Sequence, residues 1–346
     1  MTTTGEQVQE TPAAVRSRSN RLIALISRVR ELGLLVVLLL IIVVVGVQVP
    51  QFLTISNMVQ VLLSIAILAI VAIGETLVIL TRNVDLSVGS IVGFAAFVTA
   101  DQFKLHPGTS LFVGILLGCL LGLILGAVNG LIVTWGRVPA IVATLGTLYA
   151  YRGLDFLYAG GNQVSASDVP NSFLSLATAP FLGVPLLIWF AALLALFSGY
   201  WLHASRTGRQ FYAIGSNPEA ARLAGIRSDL LVFIAFVIAG LLSGFAGVLW
   251  GARFATVDAT AATGLELQVI AAVVVGGVNI FGGSGEILGA MLGALVLGTI
   301  DNSLAFLRVS QFWLQAIDGA AILMAVTLDA FITRWVQRLL ITRRQR

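Results

Sequence analysis

Long and almost uninterrupted apolar runs constrain this chain more than any other feature of its sequence. Hydrophobic residues make up 58% of its 346 residues and charged residues only 10%, whereas a soluble domain is about 25% charged. Because about 20 apolar residues cross a bilayer as one helix, the chain has room for about ten such helices. The runs do not alternate between apolar and polar residues, which excludes a transmembrane β-barrel. The sequence therefore predicts an all-α, polytopic membrane helix bundle.

The apolar segments divide the chain into a transmembrane domain, residues 32–332, and two basic tails. The N-terminal tail, residues 1–31, begins with polar residues that lack periodicity, so we expect it to be disordered. The C-terminal tail covers residues 333–346. The predicted spans lie at residues 32–49, 58–80, 87–103, 110–134, 138–158, 181–203, 229–250, 265–281, 286–305 and 312–332.

Arginines indicate which side of the membrane each loop faces. They are concentrated at residues 16–30, in the loop at 203–229 and at residues 334–346. Lys and Arg of short loops stay on the cytoplasmic side, and an even number of predicted spans separates these three segments. We therefore expect both termini and the 203–229 loop to be cytoplasmic, in a multi-pass protein of the bacterial inner membrane that contacts the lipid bilayer.

Scarce reactive residues exclude several classes of enzyme. One cysteine and two histidines cannot supply a cluster of thiolate and imidazole metal ligands. The single lysine, Lys104, lies outside any G-x-x-x-x-G-K-[ST] loop that would hold ATP phosphates. We therefore expect no catalytic residue, no metal site and no cofactor bound by this chain, and no nucleic-acid partner.

The 203–229 loop contains signals for a short helix with defined ends. Ser216 or Asn217 can cap it, Pro218 suits its first position, and a left-handed Gly225 can close it. Such a helix is suited to a groove on another protein, or it is simply a solvated loop helix. The residues assigned to it are Asn217, Pro218, Glu219, Ala220, Ala221, Arg222 and Gly225.

Glu219-Ala220-Ala221 followed by Gly225 is similar to the EAA-x-x-x-G coupling motif of ATP-binding-cassette (ABC) importer permeases. The surrounding loop resembles the branch that handles ribose, xylose, rhamnose and autoinducer-2, and reads nearest to the autoinducer-2 and rhamnose permeases. Ala262 departs from the family pattern, which often has glycine there. Further blocks resemble the family in the family's order: LVILTRNVDLSVGSIVG (77–93), RVPAIVATLGTLYAYRG (137–153), TGLELQVIAAVVVGGVNIFGGSGEILGAMLGAL (263–295) and LRVSQFWLQAIDG (307–319).

This resemblance implies a permease that moves a small sugar: a pentose, a deoxyhexose such as rhamnose, or autoinducer-2. It implies about ten helices and pairing with a second permease subunit, identical or different. It also implies two cytoplasmic ATP-binding subunits, or one fused pair, which would hold ATP and Mg²⁺ and dock on the 216–225 helix. An external sugar-binding protein would deliver the cargo.

Polar residues within or beside the spans are candidates for a gate or a path. Glu75, Arg82 and Asp85 lie near the predicted cytoplasmic end of the second span, where Arg82 and Asp85 are expected to form a structural ion pair. Glu75 either lines the gate or bonds a backbone group or a neighbouring Ser or Thr. The path candidates are Asn129, Thr144, Thr147, Tyr151 and Asn302, for which hydrogen bonding between helices is the alternative.

A proton-coupled secondary transporter is the alternative function. Glu75, Asp301 and Asp318 would then form the natural proton relay, since ionisable residues inside a membrane are usually functional. The helix at 216–225 argues against this function, because a proton-coupled carrier needs no element that docks an ATPase.

Overall fold

Helices dominate the protein. The structure is a computed structural model, and it describes residues 31–310 together with positions 313, 316, 317, 319, 320, 323, 324 and 327. Up to residue 310 the helices are α1 Glu31–Gln48, α2 Ile55–Leu80, α3 Val88–Leu105, α4 Leu111–Thr134, α5 Ala140–Ala159, α6 Asn171–Thr178, α7 Leu186–Ala204, α8 Arg206–Ser216, α9 Pro218–Leu223, α10 Ser228–Phe254, α11 Leu265–Val275 and α12 Ile287–Phe306. Short 3-10 helices cover Pro50–Leu53 and Ala166–Asp168.

Among the described residues, 6 helices are long and apolar enough to cross a membrane: α1, α2, α4, α7, α10 and α12. Helices α3 and α5 have 18 and 20 residues but a more polar composition, and α11 has only 11 residues. Most of the predicted tenth span, and both tails apart from Glu31, lie outside the described residues. A mostly helical membrane bundle is confirmed, whereas the count of ten spans and the side on which the termini lie stay predictions.

Some predicted boundaries are wrong, because glycine and proline redirect the backbone inside apolar runs. The predicted span at 181–203 begins instead with a hairpin, in which β1 Pro180–Phe181 pairs antiparallel with β2 Val184–Pro185. Leu182 and Gly183 form its turn with positive φ values of 53° and 80°. The predicted span at 265–281 ends as a helix at Val275, because a loop with several left-handed glycines follows.

Helix α10 packs against three other long helices, α2, α3 and α4. Its contact with α4 is a backbone-to-backbone crossing at Gly118, Gly122 and Gly126 of α4 and Gly240 and Gly244 of α10. A methyl group on Gly122 would lie 2.7 Å from Cα of Gly244. Small residues allow this approach, which replaces the hydrophobic driving force that is missing between helices in lipid.

We expect Gly122→Ala to lower the free energy of unfolding by about 1–3 kcal/mol, because the added methyl group overpacks the crossing. Gly33→Ala is the matched control, since Gly33 also lies in a helix and a Cβ there would meet nothing within 4 Å. SDS titration of both variants in mixed micelles would measure the difference. Equal unfolding of the two variants would contradict the proposed tightness of the α4–α10 contact.

Candidate functional site

Helix α9 has the start and the end that its sequence predicts. The Oδ1 atom of Asn217 accepts a hydrogen bond from the Ala220 N–H at 3.1 Å, and Pro218 occupies the first turn. Gly225 follows the helix with a φ of 77°, and its N–H donates to the Arg222 carbonyl at 2.9 Å. Both ends of this short helix are therefore fixed by local hydrogen bonds.

The outer face of α9 is open to contact. Leu223 is 92% exposed, and Glu219, Ala220 and Arg222 are also exposed, whereas Ala221 is buried against the rest of the chain. Arg222 forms an ion pair with Asp229 at the start of α10, with an N–O distance of 3.6 Å. A leucine exposed beside charged residues, and held on a capped helix, has the anatomy of a protein-docking surface.

Helix α8 fixes α9 to the bundle through close backbone contact. Gly215 of α8 lies against the Leu80 carbonyl at the end of α2 and against Gly283 in the 276–286 loop, where a side chain would not fit. The Gly283 N–H donates to the Leu80 carbonyl at 3.0 Å. Ser216 Oγ donates to the Gly283 carbonyl at 3.3 Å. Three segments that are distant in sequence therefore meet at one point, which we call the α2–α8 junction.

Tyr212 strengthens the attachment of α8 to the same loop. Its hydroxyl donates to the Gly285 carbonyl at 3.0 Å. Burial, with a smaller contribution from Glu286, raises the pKa of Tyr212 to about 12. The phenol therefore keeps its proton, and its role as donor, throughout the physiological pH range.

Arg82 completes the α2–α8 junction. Its Nε donates to the Gly215 carbonyl at 2.5 Å, and its Nη2 donates to the Ser216 carbonyl at 3.1 Å. The predicted ion pair between Arg82 and Asp85 is wrong. Arg82 has a positive φ of 68° and binds α8, whereas Asp85 is fully buried and binds other partners.

Asp85 is the centre of a buried hydrogen-bond network between α3, α4 and α5. The Ser87 hydroxyl donates to Asp85 Oδ1 at 2.7 Å, and the Asn129 amide donates to the carboxylate at 3.4–3.5 Å and to Ser87 Oγ at 2.7 Å. The Tyr151 hydroxyl contacts Asn129 Oδ1 at 3.1 Å and the Leu125 carbonyl at 2.9 Å. These hydrogen bonds offset part of the cost of removing the Asp85 carboxylate from water.

Glu75 and Thr144 tie the ends of this network to the backbone. Glu75 Oε1 accepts from the Asp85 N–H at 3.0 Å, as expected if Glu75 bonds a backbone group. Its Oε2 atom is buried without a hydrogen-bond partner in the part of the chain that the structure describes. Thr144 Oγ1 donates towards the Val84 carbonyl at 3.2 Å and the Ala140 carbonyl at 2.8 Å.

The structure brings together most of the path candidates, but inside one subunit. Asn129, Thr144, Thr147 and Tyr151 are all buried. Tyr151 and Asn129 form a hydrogen bond between helices, as the alternative predicts, whereas Thr147 bonds the Thr144 carbonyl of its own helix. Their role as path residues stays a prediction. Ser87 completes the network although sequence reasoning missed it. Its position two residues after Asp85, where its N–H and hydroxyl can both bind the carboxylate, is the signal that could have identified it.

Asn302 lies apart from this network. Its Oδ1 accepts from Asn57 Nδ2 at 3.0 Å, which joins the C-terminal part of α12 to the first turn of α2. Among the residues that the structure describes, no group of three or more His, Cys, Asp or Glu is arranged so that it could hold a metal ion.

Tyr151→Phe should lower the free energy of unfolding by about 1 kcal/mol, because the Asn129 amide and the Leu125 carbonyl lose a buried partner. Tyr149→Phe is the control on the same helix, since Tyr149 is 70% exposed, and it should change stability by less than about 0.5 kcal/mol. Thermal unfolding of the purified proteins measures both. Equal stabilities would show that the network contributes nothing through Tyr151.

Comparison with known proteins identifies the family. The family described as "Branched-chain amino acid transport system / permease component" matches residues 57–326. The chain is 37% identical over 309 residues to the autoinducer 2 import system permease protein LsrC of Salmonella typhi, covering 89% of this chain and 88% of that protein. It is 38% identical over 300 residues to the protein of the same name from Escherichia coli O157:H7, covering 87% of this chain and 86% of that one. No solved structure matches the chain. The chain therefore belongs to this family of membrane transport permeases.

Proposed function

We propose that this chain is the membrane-spanning permease of an ABC importer for autoinducer-2 or a related small sugar. The cargo follows from the names of the relatives, which are autoinducer 2 import permeases. The permease would pair with a second copy or a related subunit, and an external sugar-binding protein would deliver the cargo. About ten helices would cross the inner membrane, with both termini in the cytoplasm.

A separate pair of ATP-binding subunits would supply the energy and hold ATP and Mg²⁺. The observation that carries this proposal is the exposed, capped helix α9, which is bound to the bundle through the α2–α8 junction. A docked ATPase can change the conformation of the bundle only if its contacts differ between nucleotide states. A helix that is fixed to α2 and to the 276–286 loop can pass such a difference into the membrane.

A pull-down of the tagged chain from its native membrane tests this function. We expect a nucleotide-binding subunit in the eluate, with vanadate-sensitive ATPase activity, and mass spectrometry would identify any second permease. Recovery of the chain alone, without ATPase activity, would overturn the proposal in favour of the proton-coupled alternative.

Leu223→Asp should reduce recovery of the ATPase about tenfold, because it places a charge in the centre of the proposed docking surface. Leu182→Asp is the matched control, since Leu182 is 79% exposed in the β1–β2 turn and Asp tolerates its left-handed backbone. Quantitative immunoblotting of the eluates measures the loss.

Glu219→Lys should likewise uncouple sugar transport from ATP hydrolysis. Retained sugar uptake in this variant, at normal protein levels, would contradict the proposed role of α9.

Arg82→Ala should leave the ATPase bound and active but reduce sugar uptake about tenfold, since it breaks the link between α8 and α2. Arg137→Ala is the control, because Arg137 is also an exposed arginine with a positive φ, 53°, and lies in the loop between α4 and α5. Uptake and ATP hydrolysis would be compared in proteoliposomes of the complete complex. A parallel fall of both activities would contradict a transmission role for Arg82.

A further inference from the structure

A cavity of about 560 Å³ lies among α2, α10, α11 and α12. It is lined by the first half of α2, from Val61 to Leu68, and by the C-terminal end of α12. The α2–α8 junction lies beyond the opposite end of α2, so the cavity occupies the half of the bundle away from α9. Its size falls within the range of about 300–1,000 Å³ that is usual for small-molecule sites.

The polar groups of the cavity are held in place by hydrogen bonds. Gln268 Nε2 donates to Asp301 Oδ2 at 3.4 Å, and the amide of Asn302 is oriented by Asn57 at 3.0 Å. Ser64 Oγ accepts from Arg253 Nη2 at 3.3 Å. Because these side chains are fixed before any ligand binds, less conformational entropy is lost on binding.

Aromatic rings form another part of the lining. Trp250 and Phe254 lie one turn apart on α10, with ring centroids separated by 4.5 Å and planes inclined by 45°. Aliphatic side chains such as Ile65 and Leu265 complete the apolar surface. The cavity therefore combines flat apolar surfaces with a carboxylate, amides and a hydroxyl.

We propose that this cavity binds a small, neutral, polyhydroxylated molecule of about monosaccharide size. The C–H faces of such a molecule would pack on Trp250, and its hydroxyl groups would bond to Gln268, Asp301 and Asn302. A charged ligand of either sign is disfavoured, because the Asp301 carboxylate lines the cavity and the Arg253 guanidinium lies beside it on Ser64. The proposal rests on the proposed transport function and adds to it a cargo site built by one subunit.

Site-directed labelling tests the proposal in the full-length protein. Cys119 is the single cysteine of the chain, so Cys119→Ala provides a background without thiols. Ala305→Cys then places one thiol in the cavity lining, and Ile55→Cys places one at a position that is 84% exposed outside the lining. The probes are D-ribose, L-rhamnose and autoinducer-2, with ribose 5-phosphate as the anionic comparison, and the readout is the rate of maleimide labelling.

At least one neutral probe should slow labelling at residue 305 and leave labelling at residue 55 unchanged. Asp301→Asn should raise the half-protecting concentration about tenfold, because the ligand loses a charged acceptor. Asp258→Asn should not change it, since Asp258 lies in the loop before α11 and outside the cavity lining. Gln268→Leu is a second cavity variant, for use if Asp301→Asn does not elute as a single species.

Three results would overturn the cavity proposal: no protection by any neutral probe, equal protection by ribose 5-phosphate, or protection that neither cavity variant weakens. The labelling assay needs no ATPase, so it separates this proposal from the transport function. Loss of ATPase recovery in the pull-down would contradict the importer and leave the protection result standing. Absence of protection with normal ATPase recovery would contradict the cavity alone.

Discussion

The hydrogen bonds at the end of α2 are the interaction on which the proposed mechanism depends. The last carbonyl groups of a helix have no partner within that helix. Here the Leu80 carbonyl of α2 accepts from Gly283, and the Gly215 and Ser216 carbonyls of α8 accept from Arg82. The ends of α2 and α8 are thus satisfied by the 276–286 loop and by the Arg82 side chain. Helix α9 follows α8 directly and is attached to the bundle through these contacts.

The two ends of the bundle differ in how they are packed. Glu75 and Asp85 are fully buried near the C-terminal end of α2, and hydrogen bonds link them to Ser87 and Asn129. In the other half, the cavity beside Asn302 is large enough for a small ligand. The end of the bundle near α9 thus contains buried, hydrogen-bonded polar groups, whereas the other end contains the cavity.

Local signals in the sequence predicted local structure well. The cap at Asn217 and the closing Gly225 were identifiable because each depends on neighbouring residues. The partners of Arg82 were not, because they lie more than a hundred positions away, whereas the opposite charge of Asp85 is close in the sequence. The hydrogen-bond network from Asp85 to Asn129 and Tyr151 depends on the packing of three helices, which hydrophobic periodicity does not specify. Glycine-rich ends of apolar runs were misread for a similar reason, since hydropathy does not distinguish a helix from a hairpin or a loop.

The order of the junction's parts along the chain has a consequence for biogenesis. Arg82 emerges from the ribosome early, Gly215 much later and Gly283 later still. The contact among them cannot close until the segment around residue 283 has been synthesised and inserted. Until then α8, which precedes α9, lacks its contacts with the 276–286 loop. A truncated or stalled chain would therefore present the proposed docking helix without these contacts, and only a chain synthesised beyond residue 283 can form them.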